Sequence, residues 1–149
     1  MNVYNILMFQ TKTKLVMGAG ASAQTGPELQ ALGAKKVLIV TDKGIVSVGI
    51  LDKIVPSVRE AGIDTVLFDG VVANPRIKTV EDCIATYRAN GCDGFLTVGG
   101  GSSMDTAKTA GVLATNPGGV LDYEGPNLVK NPMPPMVAIP TTYGTGAEV

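Results

Sequence analysis

Glycine, serine and an acid–base pair crowd one stretch of this chain in an order that suits anion chemistry: Gly94-Phe95-Leu96-Thr97-Val98-Gly99-Gly100-Gly101-Ser102-Ser103-Met104-Asp105-Thr106-Ala107-Lys108. A short apolar strand runs into three glycines and two serines, and a helix-forming run follows. Successive glycines let the backbone turn sharply and leave no side chain in the way of a ligand. A helix opening there offers unpaired N–H groups and the positive end of its dipole, a setting made for phosphate. The pattern is neither GxGxxG nor a Walker A loop, which would end in Gly-Lys-Ser/Thr. A plainer alternative stands beside it, a tight strand-to-helix turn with Ser102 or Ser103 as an ordinary N-cap.

Other chemistry is narrowed by what the chain lacks. Its 149 residues contain no histidine, so it has no imidazole base, no Ser-His or Cys-His nucleophile pair and no histidine metal ligand. Cys83 and Cys92, one on a predicted helix and one in the loop after it, do not make a metal or redox spacing and read as two reduced structural thiols. A formal net charge of −1 gives no electrostatic footprint for nucleic acid. No apolar run is long enough to cross a bilayer, and the first ten residues lack the basic start of a signal peptide. A cytoplasmic protein of one domain, rich in glycine and 45% hydrophobic, is the expectation.

The elements that must position the glycines alternate. Residues 4–9 and 13–17 read as extended arms, followed by Gly18-Ala19-Gly20-Ala21-Ser22. Thr25-Gly26-Pro27-Glu28 reads as a capping box, opening a helix that stops at Gly33. Lys36-Val37-Leu38-Ile39-Val40 is an unbroken apolar strand of the kind buried on both faces of a parallel sheet. Ile50, Leu51, Ile54, Val55 and Val58 recur at helical spacing up to Gly62, with Pro56 expected to kink or shorten that helix. Thr65-Val66-Leu67-Phe68 is the next strand; Val80, Cys83, Ile84 and Tyr87 form the stripe of a further helix closed by Asn90-Gly91. Residues 95–98 form a strand and 104–114 a helix. A proline-rich stretch, 115–135, is either a plain connection or a flap, and a last strand covers 136–139. The alternation predicts an α/β fold, an open parallel sheet wound by helices on both sides. Ligands of such sheets bind at the carboxyl ends of the strands, here Thr41-Asp42, Asp69-Gly70, residues 99–102 and Pro140-Thr141-Thr142.

Four motifs together carry a resemblance: Thr41-Asp42-Lys43-Gly44; Asn74-Pro75; Gly99-Gly100-Gly101-Ser102 with Asp105 and Lys108; and Ala138-Ile139-Pro140-Thr141-Thr142-Tyr143-Gly144-Thr145-Gly146-Ala147-Glu148-Val149. In this order and spacing they resemble the iron-containing (group III) alcohol dehydrogenases. The glycine–Asp–Lys part is shared more loosely with glycerol dehydrogenases and dehydroquinate synthase-like proteins, and Tyr143 stands where the family often has a small residue. The resemblance implies a Rossmann-like N-terminal domain with an extended hairpin, covering residues 1–149 and holding NAD(P). It also implies an all-helical C-terminal domain whose Asp and three His bind iron or zinc. The sequence ends at Val149, so that metal-binding half is expected to be absent, and no catalytic residue or metal ligand is expected in these residues.

By the same resemblance, Gly100, Gly101 and Ser102 contact the cofactor's pyrophosphate. Asp42 stands beside the adenosine ribose, where a carboxylate accepts from a 2′-hydroxyl and repels a 2′-phosphate, favouring NAD over NADP; an ordinary helix N-cap is the alternative. Asn74 lies beside the cofactor, Thr141, Thr142 and Thr145 form a cluster of hydroxyls toward adenine and phosphate, and Asp105 lies toward the nicotinamide. Asp105 is also expected in the first helical turn, where its charge suits the dipole and Lys108 pairs with it. The implied activity is hydride transfer between a small alcohol or aldehyde and NAD, with this chain as the cofactor half. The alternatives are a stand-alone, non-catalytic nucleotide-binding module and the cofactor half of a glycerol dehydrogenase-like enzyme. A homo-oligomer, a dimer or larger, is expected through the N-terminal arms and an exposed apolar face.

Overall fold

Two short, largely apolar stretches form the centre of the sheet. In a computed structural model that describes residues 13–148, Lys36–Val40 is β1 and Gly94–Gly99 is β3. Every residue of β3 is buried, as are Val37, Leu38, Ile39 and Val40. Burial on both faces is what a strand covered by helices above and below requires. Asp64–Phe68 forms β2 and Met136–Pro140 forms β4; the order is β2-β1-β3-β4, with every pairing parallel.

Alternate side chains go to opposite faces. On one face Leu38, Val40 and Phe95 pack against α4 (Ile77–Ala89) and α5 (Gly101–Thr115) through Cys83, Ile84, Tyr87, Ala107, Ala110 and Leu113. The rings of Tyr87 and Phe95 stack there, 4.5 Å between centroids. On the other face Val37, Ile39, Leu96 and Val98 meet Leu29 of α1 (Thr25–Ala31) and Ile54 and Val58 of α3 (Leu51–Glu60). Each of these fully buried aliphatic or aromatic side chains contributes roughly 1.5–3 kcal/mol, and together they fix which way β1 and β3 face. Both cysteines are free and buried, and burial pushes the Cys83 thiol up to about 12.

From β1 the chain passes outward to β2, then returns across β1 to β3 on the other side. The strand order therefore reverses between β1 and β3, and the crevice of such a sheet opens at the carboxyl ends of those two strands.

Several local expectations are corrected. Thr25 is not an N-cap: a 3-10 turn, Ala21–Gln24, leads straight into α1, Gln24 takes the cap position, and the Thr25 hydroxyl donates back to the Ser22 carbonyl at 2.6 Å. Glu28 is drawn to Lys14 instead, at 2.6 Å. Gly26 has a different task. A Cβ there would lie 1.9 Å from the Ser57 carbonyl oxygen, so the glycine lets α1 lie directly on α3. Pro56 does not shorten α3, which continues to Glu60 before Gly62 turns the chain at φ 75°. A short helix, α2 (Lys43–Ser47), follows β1; the sequence reading drew no element there and implied one only through the N-cap alternative for Asp42. Of the expected extended arms, residues 4–9 lie outside the described residues, and residues 13–17 form neither strand nor helix. The stretch 115–135 includes one 3-10 turn, Val120–Tyr123, and is tied down by Asn116, whose side-chain oxygen accepts from the amides of Lys130 and Asn131. Among the described residues no helix is long and apolar enough to cross a membrane.

Candidate functional site

The carboxyl ends of β1 and β3 are locked together by Thr41. It is fully buried, and its hydroxyl donates to the Val98 carbonyl at 2.7 Å. Asp42 follows at once. Its Oδ1 accepts from the Ile45 amide at 3.0 Å, so it is the N-cap of α2. Its other oxygen, Oδ2, lies 3.7 Å from the point where a Cβ on Gly99 would stand. One carboxylate thus caps a helix and faces the glycine loop, and the two expectations for Asp42 are compatible.

The glycine loop has no spare room. A Cβ on Gly99, at φ 154°, would lie 2.4 Å from the Ser103 hydroxyl oxygen. One on Gly100 would lie 2.9 Å from Thr142 Oγ1, and one on Gly101 3.1 Å from Thr145 Cβ. The loop after β4 is therefore folded against the loop after β3, and the Thr141 amide donates to the Gly99 carbonyl at 2.8 Å to hold it there. Helix α5 starts at Gly101 with Gly100, which has no side chain to cap it, at the N-cap. Ser102 and Ser103 lie inside the first turn rather than capping it. The Gly101 and Ser102 amides have no intrahelical acceptor by the geometry of a helix start, so the cradle is lined by backbone donors at the positive end of a 15-residue helix.

Asn74 and Asp105 are placed apart from this cradle. Asn74, exposed, adopts φ 52°, the left-handed region that Asn tolerates, and Pro75 follows it toward α4. Asp105 is exposed and is the fifth residue of α5, beyond the first turn that the sequence reading gave it; no acidic residue occupies that turn. It lines a cavity of about 290 Å³ between α4 and α5, together with Pro75, Arg76, Val80, Thr106 and Thr109. Lys108 Nζ donates to the Ala147 carbonyl at 2.7 Å, tying the last loop to α5. Asp42, Gly100, Gly101, Ser102, Thr141, Thr142 and Thr145 thus gather at one crevice, while Asp105 lines the α4–α5 groove and Asn74 immediately precedes Pro75 of that lining. Sequence reasoning placed Thr41, Gly99 and Glu148 within its motifs but gave none of them a role of its own. A polar residue ending a buried strand and the first of three glycines were the signals for two of them; Glu148 was visible only as part of the last motif. Among the described residues no group of three or more His, Cys, Asp or Glu side chains is placed to hold a metal ion.

Chemically, the crevice can hold an anion on backbone N–H groups, with hydroxyls on one wall and the Asp42 carboxylate facing Gly99. Comparison with known proteins gives this geometry its relatives. Choline dehydrogenase of Bacillus subtilis (strain 168) is 48% identical over 144 residues, which is 95% of this chain and 36% of that protein. The crystal structure of a 1,3-propanediol oxidoreductase superposes with a TM-score of 0.83 at 45% identity, covering 86% of this chain and 34% of the other. That of NADH-dependent butanol dehydrogenase A from Thermotoga maritima does so with a TM-score of 0.85 at 30% identity, covering 95% and 36%. The chain therefore spans about a third of the length of the relatives it matches. Residues 12–149 match the iron-containing alcohol dehydrogenases, and with the glycine loop, its helix and the threonine loop arranged as described, the chain belongs to that family.

Proposed function

We propose that residues 1–149 are a dinucleotide-binding domain that holds NAD for a metal-dependent alcohol dehydrogenase acting on a small alcohol or aldehyde. The observation that carries this reading is the cradle: three glycines whose Cβ positions are already filled, at the start of α5 and at the point where the strand order reverses. A pyrophosphate fits these residues, because the backbone amides at the start of α5 supply the donors and the glycines add no side chain of their own. Gly100, Gly101 and Ser102 would hold the phosphates, and Thr141 and Thr142 would flank them. Asp42 would take the adenosine ribose, its charge opposing a 2′-phosphate, so that NAD is preferred over NADP. Asn74 and Asp105 would lie toward the nicotinamide end, along the α4–α5 groove.

NAD, when bound, would supply the hydride acceptor, and a metal, iron or zinc, would supply a Lewis acid for the alcohol oxygen. What this chain's residues do is bind and orient. The name of one structural relative, an NADH-dependent butanol dehydrogenase, supports the cofactor, and the several alcohols in the relatives' names support the substrate class. Two buried, free thiols suit the reducing cytoplasm. Leu15, Val16 and Met17, 63%, 44% and 87% exposed, suit a face that pairs with a second copy.

Titrating NAD into the isotope-labelled chain and following amide resonances tests the assignment. The reading expects the first shifts at Asp42, Gly100, Gly101, Ser102 and Thr142. Shifts centred instead on Lys36 and Arg59, at the opposite end of the sheet, would overturn it. Light scattering that finds a monomer at high concentration would overturn the oligomer.

A further inference from the structure

The threonines beside the glycines are not equivalent. Thr145 lies against Gly101, the position of a Cβ on that glycine being 3.1 Å from Thr145 Cβ. Its polar groups are already engaged. The Thr145 amide and hydroxyl both donate to Glu148 Oε1 at 3.0 Å, and the hydroxyl oxygen accepts from the Ala147 amide at 3.2 Å. The hydroxyl has a single proton, and Glu148 holds it. Thr142 Oγ1 is placed differently: it lies 2.9 Å from the Cβ position of Gly100, and no hydrogen bond among the described residues engages it.

We propose that Glu148 is a positioning residue, whose carboxylate holds Thr145 against Gly101 so that Thr145 shapes the phosphate cradle while Thr142 supplies its hydroxyl donor. This rests on the cofactor reading above and assigns unequal work to the two threonines. A carboxylate near a phosphate site is unfavourable on charge alone. Here its acceptor oxygen faces the loop's own donors, which makes its presence intelligible. Gly144 and Gly146, both at φ 80°, let the chain turn tightly enough for residue 148 to reach back to residue 145. Lys108 closes the arrangement from the other side by binding the Ala147 carbonyl at 2.7 Å, so the loop is fixed both to itself and to α5.

The test combines a cofactor-free readout with a titration, using the whole chain and its Glu148→Ala, Glu148→Gln and Thr142→Val variants. Glu148 is at the surface and outside the core, so all three variants should keep the parent's circular dichroism. Without cofactor, amide exchange at Thr145 and Ala147 should accelerate in Glu148→Ala. It should stay near the parent's in Glu148→Gln, whose amide oxygen still accepts, and in Thr142→Val. In an NADH titration, Glu148→Ala should lose about fivefold to tenfold in affinity and Glu148→Gln less than about threefold. Thr142→Val should lose affinity with exchange unchanged. Parent-like exchange in Glu148→Ala overturns the positioning role whether or not cofactor binds. Faster exchange with parent-like affinity overturns its consequence for the cradle. A parent chain that binds no NADH overturns the cofactor reading itself, a result distinct from either.

Discussion

Residues 18–22 and 99–103 are both short runs of glycine ending in serine, and they sit in opposite surroundings. At Gly18 and Gly20 an added Cβ would meet nothing within 4 Å; at Gly99, Gly100 and Gly101 it would meet Ser103, Thr142 and Thr145 at 2.4, 2.9 and 3.1 Å. The first run uses glycine for backbone direction, with φ 147° and 79° at Gly18 and Gly20. The second uses it for close approach, letting the Ser103, Thr142 and Thr145 side chains pack directly against the glycine backbone. Glycine-rich composition is thus not a site. A site appears where the removed side chain would have collided with something that has its own function.

Substitutions can separate the two uses. The largest effect is expected from Gly100→Asp. At φ −83° the backbone accepts any residue and Asp is a good N-cap, but its Cβ would stand 2.9 Å from Thr142 Oγ1, which must give way, so the stability of α5 should change by no more than about 1 kcal/mol in either direction. The same carboxylate would stand where phosphate binds, and NADH affinity should fall by at least about 100-fold. Thermal melts alongside titrations check both halves. Next, Asp42→Asn keeps an N-cap for α2 but removes the charge facing Gly99, so the preference for NADH over NADPH should shrink about tenfold with stability unchanged. An unchanged preference would assign Asp42 to capping alone. Gly20→Ala should cost about 1–2 kcal/mol of stability through its left-handed φ and leave NADH affinity untouched. A loss of affinity there would erase the contrast between the two runs.

The smallest effect concerns pH. The Thr145 amide, with help from neighbouring backbone amides and the Thr145 hydroxyl, holds the Glu148 carboxyl at about 2 rather than 4.5. Because the folded value is the lower, the carboxylate's grip on the loop is complete above pH 4.5 and is lost as pH falls through about 2. Following the side-chain carboxyl carbon by NMR should give a midpoint near 2, and a midpoint near 4.5 would contradict the hydrogen bonds to Thr145.

Much of this molecule was legible in its sequence, for identifiable reasons. The runs Lys36–Val40 and Gly94–Gly99 are short and largely apolar, the pattern of strands buried on both faces, and the glycines after the second announced a close approach. What stayed hidden depended on contacts far along the chain. Thr25 looked like a cap because its neighbours fit the pattern, but a preceding 3-10 turn took the position and Gly26 was needed under Ser57. Asp105 was read one turn too early because the helix starts at Gly101, three residues before the first apolar position that marked it. The engagement of Thr145 by Glu148 has no periodic signal, since it arises from a turn of four residues, 145–148, with Gly146 at positive φ inside it and Gly144 at positive φ just before it.

The most direct measurement is an NADH titration of the chain, read by the cofactor's own fluorescence with NADPH in parallel; the protein contains no tryptophan to interfere. The account predicts saturable binding that favours NADH. A folded chain that binds neither, or binds NADPH as well as NADH, would contradict it.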